Sequence, residues 1–277
     1  MCKTLRMHPD SLRPRPLREL LRPQAAAIRG VFTDIDDTLT TDGRITADAL
    51  SALQRLADAG VPVIAITGRP MGWSEPFAHS WPVAAIVAEN GAVALFREAG
   101  ALLVEYDQDA PTRERNAQRL KAVSARLQRE IPSVQFARDS AGRVTDIAVD
   151  HSEFAHLPPE RIERVMALMH EEGMSATVSS IHINGWFGTH TKLSGAEWIV
   201  RRLWGRELVM EHAHWAYVGD STNDQQMFGY FPLSVGVANL LRFADELTIW
   251  PAYLAQGERG AGFAEVADVL LSVRALK

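Results

Sequence analysis

The stretch Val31-Phe32-Thr33-Asp34-Ile35-Asp36-Asp37-Thr38-Leu39 ends an apolar run in three carboxylates within four residues. Gly30 to Thr33 is short and rich in β-formers, so it reads as a buried strand that delivers Asp34 and Asp36 at its carboxyl end. Buried anions this close repel one another, and a divalent cation among them is the simplest compensation. The same string also fits a plain acidic turn after a strand, so the rest of the chain has to decide.

Outward from this stretch the chain alternates. Thr46 opens a helix through Ala59, with Leu50, Leu53, Leu56 and Ala57 on one face, Asp48 in the first turn and Gly60 as the stop. A second buried strand, Val61 to Ile66, ends in Thr67-Gly68-Arg69-Pro70. A short helix, Met71 to Trp81, then leads to a third strand, Ala84 to Ala88, ending in Glu89-Asn90-Gly91. This order predicts a parallel sheet with right-handed crossovers. From Ala92 the pattern changes to a hairpin around Glu98-Ala99-Gly100, helices at Arg113 to Glu130 and Leu157 to His170, and strands at Val144 to Val149, 175–179 and 181–187. These predict an α+β unit inserted over residues 92–187. The first style returns with a helix just after Lys192, a strand Trp215 to Val218 ending in Gly219-Asp220, a short helix from Asp224, a strand Leu233 to Val237 and a closing helix from Phe263.

At 277 residues and 47% hydrophobic, the chain can bury a full core. Its net charge of −5 is unevenly placed, because residues 1–27 hold six Lys/Arg against Asp10 and Glu19. With four of the 14 prolines and no sustained apolar period, residues 1–27 read as a flexible or loosely docked basic arm. Its shortness, its lack of aromatics and the acidic body argue against nucleic-acid or membrane-surface binding, while its arginines leave a transit peptide open. The sequence shows no signal-peptide core and no run long enough to span a bilayer, so a soluble cytoplasmic protein is expected. Cys2 is the only cysteine, which excludes internal disulfides and cysteine metal sites.

Ligand sites of open parallel sheets lie outside the carboxyl ends of the strands. Here those ends carry Asp34 and Asp36, Thr67-Gly68, and Asp220 with Asp224, and Lys192 opens a helix between them in sequence. Carboxylates for a metal, a hydroxyl and amides for anionic oxygens, and a cation together describe phosphoryl transfer with magnesium. Singly, Thr67-Gly68 fits a turn, Lys192 a solvated side chain, and Asp220 and Ser221 a helix cap. Their ordered placement at successive strand ends favours the shared site.

With these motifs the chain resembles the haloacid dehalogenase superfamily of aspartate-nucleophile phosphatases. Asp34-Ile35-Asp36-Asp37-Thr38 is similar to its first motif, Thr67 to its second, Lys192 to its third, and Gly219-Asp220-Ser221-Thr222-Asn223-Asp224 to its fourth. The resemblance covers residues 30–277. The insert resembles the α+β cap of the branch that includes sucrose-phosphate, trehalose-phosphate and mannosyl-phosphoglycerate phosphatases and phosphomannomutase. It implies an α/β fold: a Rossmann-like parallel core, residues 28–91 and 188–277, with an α+β cap at 92–187. It further implies that Asp34 attacks phosphorus to form an aspartyl-phosphate, and that Asp36 protonates the leaving group and then activates water. Asp34, Asp220, Asp224 and the Asp36 carbonyl would hold Mg2+. Thr67, Gly68 and Asn223 would bind phosphate oxygens, and Lys192 would neutralise nucleophile and phosphate. One departure is Asp37, where the common phosphatases have glycine.

In the last cap strand, period two separates Ile181, Ile183 and Phe187 from His182, Asn184 and Trp186. The polar set suits a sugar phosphate if it faces the cleft, with the indole stacking on the ring. Arg69, Trp73, Glu89 and Asn90 are further candidates at the cleft edge. His212 and His214 lack a third ligand for zinc and read as surface or packing residues. The expected substrate is a small phosphate ester, without nucleic-acid or membrane partners and with monomer or dimer left open. A phosphomutase on the same aspartates and a non-catalytic binding protein on the same core are the alternatives.

Overall fold

A computed structural model describes residues 14–273 of the chain. Its elements begin with β1 (Arg15–Pro16), α1 (Arg22–Ala27), β2 (Gly30–Thr33), β3 (Thr40–Thr41) and β4 (Arg44–Ile45). Next come α2 (Ala47–Asp58), β5 (Val63–Ile66), α3 (Met71–Ser80), β6 (Ala85–Ala88), β7 (Val93–Glu98) and β8 (Ala101–Tyr106). The middle of the chain supplies α4 (Ala110–Glu130), β9 (Gln135–Phe136), β10 (Asp146–Asp150), α5 (Pro159–Glu171), β11 (Ser175–Val178) and β12 (His182–Trp186). It closes with α6 (Lys192–Trp204), α7 (Leu208–Glu211), β13 (Trp215–Gly219), α8 (Gln225–Tyr230), β14 (Leu233–Gly236), β15 (Tyr253–Leu254) and α9 (Arg259–Ser272).

The main sheet runs β1-β15-β14-β13-β2-β5-β6-β7-β8. It is parallel from β1 to β6 and antiparallel at β7 and β8. The strand before Asp34 therefore lies at the centre. Period two sends Val31, Val63 and Ile86 to a layer formed with α2 and α9. Phe32, Ile64 and Val87 go to the other side, against Ala196, Ile199 and Val200 of α6. The four-stranded antiparallel sheet β11-β12-β10-β9 lies wholly between β8 and α6 in sequence. One of its faces packs on α4 and α5 through Val149, Ile183, Leu127 and Met169. Among the described residues no helix is long and apolar enough to cross a membrane.

Two sequence expectations change. The hairpin from Ala92 extends the main sheet instead of opening the insert. The reason is double-sided burial: Val93 and Leu95 enter one core layer, Ala94 and Phe96 the other. Residues 14–27, expected to be flexible or loosely docked, are tied down. Arg15 N–H donates to the Ala252 carbonyl, and Leu17 is only 1% exposed. The arm's prolines suit this docking, Pro16 lying on an edge strand and Pro23 in the first turn of α1. Residues 1–13 of the expected arm lie outside the described residues.

The helix that carries Lys192 is set by local chemistry. Thr191 and Ser194 form a reciprocal capping box at its start, and Gly205 ends it in the left-handed conformation. Its first turn lies against Gly91, whose φ of +112° only glycine adopts readily. A Cβ on Gly195 would stand 2.7 Å from the Gly91 Cα and 3.1 Å from Val87 Cγ1.

The second sheet docks on the first through buried charge. Glu89, at the end of β6, accepts the N–H groups of Met71, Val144 and Thr145 and the Thr145 hydroxyl. Arg143 donates to the Gly68 carbonyl at 3.0 Å and pairs with Asp146 at 2.9 Å. Gly72 and Gly142 meet without room for a side chain, a Cβ on Gly72 falling 3.0 Å from the Gly142 Cα. Burial, with the Asp146 charge adding to it, pushes the Glu89 carboxyl up to about 7, against the Thr145 and Met71 hydrogen bonds.

Gly195→Ala is expected to lift α6 off Gly91 and cost about 1–3 kcal/mol, the usual range for overpacking. Thermal unfolding measures it, and an unchanged Tm would contradict the close approach. For Glu89 the folded pKa lies above its ordinary 4.5, so its contribution is fully present below 4.5 and is lost as pH rises through about 7. Between pH 5 and 8 the native chain should lose on the order of 1–3 kcal/mol relative to Glu89→Gln in urea unfolding. A pH-independent difference would refute this.

Candidate active site

Asp34 extends β2 by one residue, its N–H donating to the Val218 carbonyl of β13. Its side chain therefore stands where the two central strands end, beside Asp220 just past β13. Asp34, Asp220 and Asp224 are all buried, and each offers a carboxylate oxygen within 4.8 Å of the others. Lys192, at the start of α6, places Nζ 2.8 Å from Asp34 Oδ1, 2.7 Å from Asp224 Oδ1 and 3.3 Å from Asn223 Oδ1.

The carboxylates differ in what already binds them. Asp224 Oδ2 accepts the N–H groups of Asp220 and Ser221, and its Oδ1 accepts Lys192 and the Tyr217 hydroxyl. It is the internal brace of the loop. Asp220 is steadied by the Thr38 hydroxyl at 3.4 Å and Asn239 Nδ2 at 3.2 Å. Burial pushes the Asp34 carboxyl up to about 7, Lys192 opposing and the Asp224 and Asp36 charges adding to it. Asp220 is pushed well above the carboxylate range by burial and by Asp34 and Asp224. For Lys192, burial alone would lower the pKa, but the two carboxylates override it and raise it. One ammonium thus faces three buried carboxylates, an all-oxygen set suited to a hard divalent cation.

Thr67 is fully buried past β5, its hydroxyl accepting the Arg69 N–H at 3.0 Å. The Gly68 carbonyl is held from the second sheet by Asn184 Nδ2 at 3.2 Å and by Arg143. A Cβ on Gly68 would lie 3.1 Å from Asn184 Oδ1. Asn90, at φ +56°, buries an Nδ2 that has no hydrogen-bond partner. Asp34, Lys192, Asn223, Asp220 and Asp224 are thus brought together.

Asp36 is turned toward Arg69, whose Nε lies 3.0 Å from both carboxylate oxygens and whose Nη2 lies 2.9 Å from Oδ1. Arg69, proposed from sequence as a substrate contact, also reaches Asp139 and Glu153 and is 5% exposed. Trp73 lies beneath its guanidinium, 5.1 Å from ring centroid to Cζ. Beside this group opens a cavity of about 560 Å³, lined among others by Asp36, Asp37, His151, Phe154, Arg242 and Phe243.

The strand β12 does not form the expected sugar platform. His182, Asn184 and Trp186 do lie opposite Ile183, but their polar atoms are engaged within the protein. His182 Nε2 meets Glu153 at 3.0 Å, Asn184 donates to Gly68 and Asp146, and Trp186 Nε1 donates to the His190 carbonyl. The Trp186 indole is buried and stacks on His190, so it offers no face to a ligand. His212 and His214 each put Nδ1 on a backbone carbonyl, of Val209 and of Ala27.

Asp37, the departure from glycine, sits at φ +54°, a conformation that costs an L-residue on the order of 1 kcal/mol. Two anchors hold it there: its carbonyl accepts Asn239 Nδ2 at 3.0 Å, and its carboxylate meets Arg259 Nε at 3.0 Å. Asn239, Tyr217, Asp139 and Glu153 were missed from sequence. Asn239 follows the carboxyl end of β14, which is the signal that could have found it.

Residues 31–116 match the family described as haloacid dehalogenase-like hydrolase. The chain is 28% identical to a phosphoglycolate phosphatase of Methanothermobacter thermautotrophicus over 243 residues, 86% of this chain and 96% of that relative. A Thermoplasma acidophilum protein of known structure superimposes with a TM-score of 0.66 at 17% identity, covering 88% of this chain and 98% of its own. The sucrose-phosphatase of Synechocystis, solved with sucrose and phosphate, gives 0.62 at 17% identity, with 87% and 97% covered. At such identities the solved structures establish a common fold. Over residues 31–116 the chain is thus similar to haloacid dehalogenase-like hydrolases, and over most of its length to a phosphatase.

Proposed function

We propose that the chain is a magnesium-dependent phosphomonoesterase that works through an aspartyl-phosphate on small phosphate esters, sugar phosphates foremost. The observation that carries this reading is the Lys192 ammonium shared between Asp34 and Asp224 where β2 and β13 end. Asp34 is the nucleophile: one of its oxygens bonds to phosphorus as the ester oxygen leaves, and water later releases phosphate from the acyl phosphate. Lys192 holds that carboxylate in place and offsets charge on the transferring group. Asp36 supplies the proton to the leaving oxygen and takes one from the incoming water. Thr67, Gly68 and Asn223 receive phosphate oxygens. Magnesium, taken by Asp34, Asp220 and the Asp36 carbonyl on a loop braced by Asp224, would supply positive charge opposite the phosphate.

The unit between β8 and α6 serves as the cap, covering the site at Gly68 and Asp36. The cavity beside Asp36 has room for a sugar-sized leaving group, and Phe154 and Phe243 offer it apolar faces. Support for a small ester also comes from the names of its relatives, a phosphoglycolate phosphatase and a sucrose-phosphatase.

Phosphate release from a panel holding phosphoglycolate, glucose 6-phosphate, other sugar phosphates and p-nitrophenyl phosphate tests the reading. With magnesium the native chain should turn over at least one ester. Chelation should abolish release, and Asp34→Asn should lower it by about 10³-fold or more, as loss of a covalent nucleophile does. Undiminished release by Asp34→Asn, or phosphate transferred to a second hydroxyl instead of freed, would overturn it.

A further inference from the structure

Three carboxylates converge on one guanidinium. Arg69 Nε and Nη2 engage both oxygens of Asp36, Nη2 also reaches Glu153 Oε1 at 2.7 Å, and Nη1 reaches Asp139 Oδ2 at 3.1 Å. Asp36 belongs to the core, while Asp139 and Glu153 come from the loops around β9 and after β10. The second sheet thus grips the same cation that grips the proposed proton donor.

That grip bears on the reaction. Asp36 Oδ1 takes both Nε and Nη2 and Oδ2 takes Nε, so turning an oxygen toward a leaving group loosens the hold of Asp36 on Arg69. Arg69 is buried, and a buried guanidinium left without a counter-charge is strongly unfavourable. Glu153 and Asp139 keep it paired when Asp36 departs. The two are not equal in this. Asp139 is already shared with Arg143, through contacts of 3.2 and 3.1 Å. Glu153 is held in place from two sides. The Asp150 carboxylate accepts the N–H groups of Ser152, Glu153 and Phe154, which fixes the loop, and His182 Nε2 steadies Glu153 Oε2. The His182 and Arg69 bonds outweigh burial and hold the Glu153 carboxyl down at about 2, so it stays ionised.

We propose that Glu153 is a positioning residue that acts through Arg69: by holding the guanidinium toward the cap, it makes Asp36 exchangeable between Arg69 and the leaving-group oxygen. This rests on the phosphomonoesterase reading above. When Asp36 gives its proton to the ester oxygen, the phosphorus–oxygen bond breaks as Asp34 bonds to phosphorus, and Arg69 remains on Glu153 and Asp139. Alkyl esters depend on this exchange because an alkoxide is a poor leaving group. An aryl ester leaves without a proton.

The test compares native protein, Glu153→Gln, Glu153→Asp and Asp139→Asn on p-nitrophenyl phosphate and on the faster of phosphoglycolate and glucose 6-phosphate, with magnesium. Glu153→Gln should lower kcat on the alkyl ester at least tenfold with KM within twofold, while the first-turnover burst of p-nitrophenol changes less than twofold. Glu153→Asp, which keeps the charge, should recover most of the alkyl rate. Asp139→Asn should show the same selective loss, smaller, and serves alone if Glu153→Gln does not melt like the native chain. Equal losses on both esters, a loss confined to KM, or no recovery by Glu153→Asp would overturn the proposal. Full activity of Asp34→Asn would instead remove the reading beneath it.

Discussion

The ammonium of Lys192 between Asp34 and Asp224 is the contact on which the arrangement depends. Three buried carboxylates at one sheet edge would repel one another if the chain brought them together with nothing between. The lysine reaches two of them from the first turn of α6, and α6 is pinned by its capping box and by glycine-to-glycine contact with the end of β6. Packing far from the carboxylates thus determines where their counter-charge sits.

The charges divide into two sets around Asp34 and Asp36. On one side stand Asp34, Asp220, Asp224 and Lys192, with excess negative charge suited to a cation. On the other stand Asp36, Arg69, Glu153 and Asp139, which join the two sheets. One residue, Ile35, separates the leading members of these sets, yet their side chains enter different networks. An extended backbone followed by a tight turn achieves this, and Asp37 in its left-handed conformation is the turn's pivot.

Much of this was legible in the sequence. The strand ending at Thr33, the alternation with helices, and the placing of Asp34, Lys192 and Asp220 all follow from local pattern and spacing. What was not legible involves choices among buried neighbours. Ala92 to Phe96 reads as a strand in any context, and only its two packed faces assign it to the main sheet. Period two put His182, Asn184 and Trp186 on one face correctly, but could not reveal that Glu153, Gly68 and the His190 carbonyl would occupy their polar atoms. Asp139 and Glu153 carry no motif, and their partner Arg69 lies about 70 to 84 residues away in sequence. Likewise Leu17 and Leu20 look like isolated apolar residues in a basic stretch until a sheet edge is there to receive them.

That edge has a consequence for solubility. A parallel sheet ending at β15 would present a row of free backbone groups on which a strand from another molecule could add. Here the final strand is two residues long, and one of them is Pro16, which has no N–H to offer a newcomer. The same short segment that looks least structured in the sequence therefore acts as a stopper against edge-to-edge self-association.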